Sequence, residues 1–224
     1  LPKTAQPSIG RFVEVYDKLG KNGDSVISIQ MMRSISGTVD AARQAADITE
    51  TNVTVVDSDF TSRSMGMIVK EAAKAAQEGK SVEEILEIVE DAKKRTTLYL
   101  TVVNLDNLIK GGRISQLMGM FSNLLNIKLF LQVINGKIEI IQKGRGLKSL
   151  QKKYDEIFEQ MKAAPNGIQE IGIMHAGLSD FNEGNIARVR ELFPDVPLTI
   201  VTTSPIIMSH TGVDAMAITY LENK

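Results

Sequence analysis

The chain has 224 residues, with 26 Lys and Arg against 27 Asp and Glu, a formal charge of −1. So even a balance leaves no basic surplus for a nucleic-acid backbone, and no window holds the eighteen or so uncharged apolar residues of an integral membrane span. The absence of cysteine excludes disulfides, thiolate metal sites and cysteine nucleophiles, and it is compatible with a reducing cytoplasm, the expected location.

The length suits two small domains. With no Trp and 5% aromatic residues, an aliphatic core of Val, Ile, Leu, Ala and Met is expected. The N-terminal LPKTAQPS lacks the charged-then-apolar pattern of a signal peptide. Residues 9–19 read as a helix, with Ile9, Phe12, Val13 and Tyr16 at helical spacing after a Pro7-Ser8 start signal. Residues 25–30 (SVISIQ) alternate as a strand. The Ala-rich run 38–48 predicts a helix, residues 52–56 (NVTVV) a second strand, and residues 64–79 a long helix. Another helix, 81–95, opens with a capping box in which Glu84 stands three residues after Ser81. Strands alternating with helices are the signature of a parallel α/β layer.

The pattern then changes. Residues 97–103 (TLYLTVV) predict a strand and 105–110 a short helix that runs into Gly111-Gly112. Residues 117–125 read as an apolar, Met-rich helix. Strands 127–134 and 137–142 are joined by Asn135-Gly136, the strongest short hairpin signal. A helix over 148–162, a strand over 170–175, a helix over 182–193 and a strand over 198–203 follow. The stretch 204–212 reads as a loop and 215–221 as a last strand. A domain boundary is expected near Arg95–Thr97, dividing the chain into 1–96 and 97–224.

Four segments carry candidate chemistry. Gly111-Gly112-Arg113 has two readings: a helix C-cap with a solvated arginine, or a corner that offers the Arg113 guanidinium to a carboxylate or phosphate. Ser34-Ile35-Ser36-Gly37-Thr38 follows a strand and opens a helix, either as an anion site or as plain capping by Ser34 or Ser36. Thr4-Ala5-Gln6-Pro7-Ser8 is a further hydroxyl-bearing turn. In Met208-Ser209-His210-Thr211-Gly212 a histidine flanked by hydroxyls suits hydrogen bonding to a carboxylate or proton exchange with one; a surface histidine is the alternative. His175, at a strand end, reads as structural. A triad of Ser36, His210 and Asp57 can be drawn, but no nucleophile elbow accompanies it. Two separated histidines without cysteines form no metal ligand set, and no glycine-rich phosphate cradle is present.

Taken in order, these segments resemble the DegV family of bacterial fatty-acid-binding proteins, which present fatty acids to a partner kinase. Thr4-Ala5-Gln6-Pro7-Ser8 resembles the family's Thr-Ser-Gln-Pro-Ser, and Ile35-Ser36-Gly37-Thr38 with Ala41-Ala42-Arg43 its Ser-Gly-Thr helix start. Val55-Val56-Asp57-Ser58 with Ser64-Met65-Gly66 is similar to its second strand and the helix after it. Leu108-Ile109-Lys110-Gly111-Gly112-Arg113-Ile114-Ser115 is the most specific signature, followed by Leu124-Leu125-Asn126-Ile127-Lys128. Gly144-Arg145-Gly146 resembles a basic turn after the hairpin, and Ser209-His210-Thr211-Gly212 the closing loop.

The resemblance implies a two-domain α/β fold, an N-terminal parallel layer and a C-terminal mixed domain with a lipid tunnel between them. It implies a non-catalytic carrier, free of metal and cofactor, that holds a long-chain fatty acid such as palmitate for a fatty acid kinase. Thr4, Ser36, His210 and Thr211 would bind the carboxylate; Arg113 and Arg145 would meet the kinase or the acyl phosphate. The Met-rich helix 117–125 would form a tunnel wall. This chain departs from the family pattern where Met32 and Arg33 replace paired serines, with Arg33 a substitute charge for the carboxylate. It also departs at Ala5, Leu129 and Val213-Asp214. A segment of about sixty residues that begins with a strand and usually precedes the Thr4 region has no counterpart here. Two other functions stay open: a degenerate family member serving as an interaction module, and a hydrolase using Ser36 and His210.

Overall fold

The computed structural model describes residues 2–113 and 126–224. The predicted Met-rich helix 117–125 and the end of the glycine signature lie outside the described residues. Contacts divide the chain into two compact units, Leu1–Thr4 with Arg95–Ile134 and Ile138–Lys224, and Ala5–Lys94 with Asn135–Lys137.

In the smaller unit the order is α1 (Ile9–Gly20), β1 (Val26–Gln30), α2 (Thr38–Ala46), β2 (Val53–Asp57), α3 (Ser62–Gln77) and α4 (Val82–Arg95). β1 and β2 pair in parallel, Val26 opposite Val53 and Gln30 opposite Asp57, as strand–helix–strand alternation requires. Ser8 caps α1 by accepting the Arg11 N–H. The Ser81 capping box closes in both directions, with Glu84 N–H to Ser81 Oγ at 3.2 Å and Ser81 N–H to Glu84 Oε2 at 2.8 Å. This core is aliphatic, built on Val39, Ala41, Ala42, Ala45, Met67 and Ile68. Met32 joins it, 1% exposed, with its N–H on the Phe60 carbonyl. The residue standing at the family's serine position is therefore a packing residue.

The larger unit contains β3 (Thr96–Val102), α5 (Asp106–Gly111), β4 (Ile127–Ile134), β5 (Lys137–Arg145), α6 (Leu147–Lys162), β6 (Ile168–His175), α7 (Asp180–Leu192), β7 (Leu198–Thr202), α8 (Pro205–Thr211) and β8 (Met216–Glu222). Its sheet runs β5-β4-β3-β8-β6-β7. β3 is antiparallel to β4 and β8, whereas β6 and β7 are parallel. Asn135 (φ 49°) and Gly136 (φ 68°) both take the left-handed conformation that a two-residue hairpin turn matching strand twist demands.

Two expectations fail in this unit. Composition points to an aliphatic core, yet Tyr99, Phe130, Tyr154, Phe158 and Tyr220 gather with Ile157, Ile171 and Ile218 in one cluster, Phe130 and Tyr154 edge to face at 5.0 Å. Few aromatics suffice when the fold concentrates them in one unit. The predicted loop 204–212 is instead the helix α8. Ser204 accepts the Ile207 N–H as its cap, Pro205 occupies the first turn, and Gly212 (φ 77°) ends it. Pro fits the first turn because its missing N–H would have no helical partner there. Gly144 and Arg145 also belong to β5, so the basic turn narrows to Gly146 alone (φ 77°).

Candidate functional site

The site in the larger unit is built on α8. A helix of seven residues places His210 in its last turn, one turn after Ile206. Nε2 of the imidazole lies 2.7 Å from Thr4 Oγ1, a contact spanning 206 residues of sequence. The chain therefore brings the first hydroxyl turn and the histidine segment together. His210 Nδ1 is buried without a hydrogen-bond partner among the described residues.

α5 forms the wall behind the ring. A Cβ on Gly111 would collide with His210 Nδ1 and stand 3.4 Å from the ring carbons Cγ and Cε1. Gly111 is helical, so side-chain bulk and not backbone conformation excludes other residues there. Gly112 supplies the left-handed turn (φ 69°) that ends α5. The C-cap reading is met one residue on from Gly111, at Gly112, while Gly111 makes room for the histidine.

Asn107, also on α5, donates from Nδ2 to the carbonyls of Ser209 (3.2 Å) and Met208 (3.4 Å). It pairs the Ser209 carbonyl at the end of α8 and shares the Met208 carbonyl with the Gly212 N–H, and so pins the turn bearing His210. Sequence reasoning missed Asn107. Its only signal is a polar residue beside Leu108 in a short helix.

Burial, and then the positive charge of Arg113, push the His210 pKa below its ordinary 6.5. The imidazole is thus neutral at pH 7 and can donate or accept one hydrogen bond. Arg113 is exposed and turns a guanidinium N–H to the Gly111 carbonyl at 2.7 Å. Thr211 is buried, and its hydroxyl donates to Ile207 O at 3.1 Å. Arg145 is exposed at the end of β5.

Ser36 belongs to the smaller unit. Neither it nor Ser34 caps α2: the N-cap is Gly37, with no side-chain cap bond. Ser36 Oγ instead lies 2.7 Å from Thr38 Oγ1 and accepts the Thr38 N–H at 3.3 Å. A Cβ at Gly37 would strike the Gln6 carboxamide, so Gln6 occupies the space over the start of α2. The charge of Arg33 is taken by Asp40, Nε to Oδ2 at 2.9 Å. Both oxygens of Asp57 accept backbone N–H groups, from Arg33 and Asp59. His175, 7% exposed, lies opposite Met216 inside the sheet.

Known proteins match the chain over nearly its whole length. A family profile described as "Uncharacterised protein, DegV family" covers residues 1–223, and the chain belongs to the DegV family. A DegV domain-containing protein of Streptococcus pneumoniae serotype 4 is 42% identical over 218 residues, which is 97% of this chain and 77% of that one. One from Listeria innocua serovar 6a is 41% identical over 221 residues, 98% of this chain and 78% of its own. Among solved structures, the fatty-acid-binding DegV of Bacillus subtilis superposes with a TM-score of 0.87 at 28% identity, covering 99% of this chain and 79% of that one. The Streptococcus pneumoniae Fatty Acid Kinase (Fak) B3 protein, loaded with linoleic acid, gives 0.80 at 26% identity, covering 99% and 78%. No helix among the described residues is long and apolar enough to cross a membrane.

Proposed function

We propose that the chain is a carrier that binds a long-chain fatty acid and presents its carboxyl group to a kinase for phosphorylation. The observation that carries this reading is the Thr4–His210 pair, a hydroxyl and a neutral imidazole 2.7 Å apart. In a family whose solved members hold fatty acids, such a pair suits a carboxylate headgroup. Burying an unpaired carboxylate is expensive, and each hydrogen bond to its charged form lowers that cost. One proton of the Thr4–His210 pair is spent on their mutual bond and the other is the donor assigned to the carboxylate, with Thr211, whose own proton goes to Ile207 O, assigned beside it. Ser36, in the smaller unit, is assigned the same role. The acyl chain supplies the driving force at about 0.8 kcal/mol of gross transfer energy per buried methylene.

In the reaction served, a carboxylate oxygen attacks the terminal phosphorus of the kinase's nucleoside triphosphate. An O–P bond forms as the bond to the leaving diphosphate breaks, giving an acyl phosphate without a proton transfer. The carrier's task is to keep the carboxylate ionised and oriented. Arg113 and Arg145 are assigned to the incoming or transferred phosphoryl charge, for which a guanidinium fork is suited.

Native mass spectrometry of gently purified protein tests the reading. A co-purifying long-chain acid, and saturable palmitate binding weakened at least tenfold by His210→Ala, are expected. A clean apo spectrum with no binding of added palmitate overturns it.

A further inference from the structure

The corner that carries the chain from α8 into β8 contains two left-handed residues, Gly212 (φ 77°) and Asp214 (φ 60°). Asp214 is not a glycine, so its conformation has to be held by bonds from outside the corner. Its N–H donates to Ala176 O at 3.2 Å, and the Ala176 N–H donates to Ala215 O at 2.8 Å. These bonds lay the corner against Ala176 and Gly177, which follow β6. Gly177 has a φ of 144°, and a Cβ there would stand 2.8 Å from Asp214 Oδ1.

Asn182, in the first turn of α7, closes this arrangement. It is 0% exposed, and its Nδ2 donates to Gly177 O at 2.9 Å and to Asp214 O at 3.2 Å. Both amide protons are therefore engaged by the two loops. Oδ1 of the same amide is buried with no hydrogen-bond partner among the described residues. Turning the amide over would not cure this, because Oδ1 would then face two carbonyl oxygens. A buried acceptor without a donor is unfavourable, and native structures hold few. An apolar side chain would remove that acceptor but strand both carbonyls, so position 182 is suited by its two donors. The next buried amide of α7 differs. Asn185, 1% exposed, donates to Phe181 O at 2.9 Å and exchanges hydrogen bonds with Gln151.

The corner is continuous with the turn that bears His210. Gly212 stands two residues after His210, and its N–H closes the end of α8 onto Met208 O at 2.9 Å. The ring has little freedom, with Thr4 Oγ1 2.7 Å from Nε2 and Gly111 packed against Nδ1. A corner that rotates about Gly212 moves the imidazole against Gly111 or away from Thr4. We propose that Asn182 is a positioning residue for the carboxylate headgroup: by fixing the corner after α8, it keeps His210 in register with Thr4. This role rests on the assignment of His210 and Thr4 to the headgroup.

The test compares Asn182→Ala with Asn185→Ala, two truncations of buried amides on one helix, by NMR titration of His210 without ligand and by palmitate titration. In Asn182→Ala the ring leaves its buried place, so the His210 midpoint is expected to rise toward 6.5. Palmitate affinity should fall roughly fivefold, the loss of about one hydrogen bond. Asn185→Ala should lower the Tm as much while leaving midpoint and affinity at wild-type values. Should Asn182→Ala not fold, Asn182→Ser, with one hydroxyl proton in place of two amide protons, is read in the same way and should move both quantities in the same direction. An unmoved midpoint, an unchanged affinity, or equal effects from Asn185→Ala overturns the assignment. The two readings fail separately: wild type that binds no palmitate overturns the carrier function, whereas the ligand-free midpoint reports on Asn182 alone.

Discussion

Gly111 and His210 compete for space: a methyl group on Gly111 would overlap the imidazole Nδ1. Two elements nearly a hundred residues apart in sequence thus meet at a point where only hydrogen fits. The two glycines consequently have different jobs. Gly111→Ala is expected to displace the ring from Thr4, costing about 1–3 kcal/mol of stability as other overpacking does and weakening palmitate binding at least tenfold. Gly112→Ala forces a side chain into the left-handed region, for about 1–2 kcal/mol, with palmitate affinity within threefold of wild type. Thermal unfolding and lipid titration on both variants check this; equal affinities would separate the glycine corner from the headgroup.

The depressed pKa of His210 has a defined sign. In the unfolded chain the imidazole takes a proton near pH 6.5, whereas burial and Arg113 delay that proton in the folded state. Its contribution is therefore present above pH 6.5 and is lost as pH falls through the folded value. The Tm advantage of wild type over His210→Gln should shrink from pH 7 to pH 5. A carboxylate beside the ring acts oppositely, favouring the imidazolium, so palmitate should move the His210 midpoint upward in an NMR titration. A midpoint unmoved by saturating palmitate would place the headgroup elsewhere.

Asn107 is expected to act through His210 without touching the ligand. Asn107→Ala removes the side-chain donor from the Ser209 carbonyl and from the Met208 carbonyl, which keeps the Gly212 N–H, and should reduce palmitate affinity several-fold while costing about 1 kcal/mol of stability. Asn104→Ala is the control. Among the described residues its side chain accepts the Asp106 N–H at the start of α5, and its loss should lower stability by a similar amount with affinity unchanged.

Inside the sheet, Thr101 Oγ1 donates its one proton to Met216 O at 2.9 Å. The contact between Tyr154 and Thr101, also 2.9 Å, must then be a donation by the phenol. Tyr154→Phe leaves Thr101 with its partner and should cost about 1 kcal/mol. Thr101→Val strands the buried phenol and removes a partner from the Met216 carbonyl, at about 1–3 kcal/mol for each unsatisfied group. Denaturant unfolding should rank the two substitutions in that order.

Local chemistry settled much of the fold in advance. The Ser81–Glu84 box, the Asn135-Gly136 turn and the helical spacing of Ile9, Phe12 and Tyr16 act over a few residues, and the elements they announce are all present. The segment 204–212 reads as a loop and folds as a helix for an equally local reason. Ser-Pro is shared by turns and helix starts, and the cap closes only because Ile207 N–H reaches Ser204 Oγ. The aromatic core escaped notice because composition carries no information about where seven Phe and four Tyr collect.

For the site, the sequence alone determined which residue types were available: hydroxyl turns at Thr4 and Ser36, one histidine among hydroxyls, two adjacent glycines before an arginine. Tertiary structure decided their partners. It set Thr4 against His210 across 206 residues, gave Gly111 the task of clearing space for the ring, and spent Arg33 on Asp40. The reason is physical. Helix caps and turns are satisfied by neighbours in sequence, whereas a histidine's partner and a glycine's clearance depend on which elements pack together.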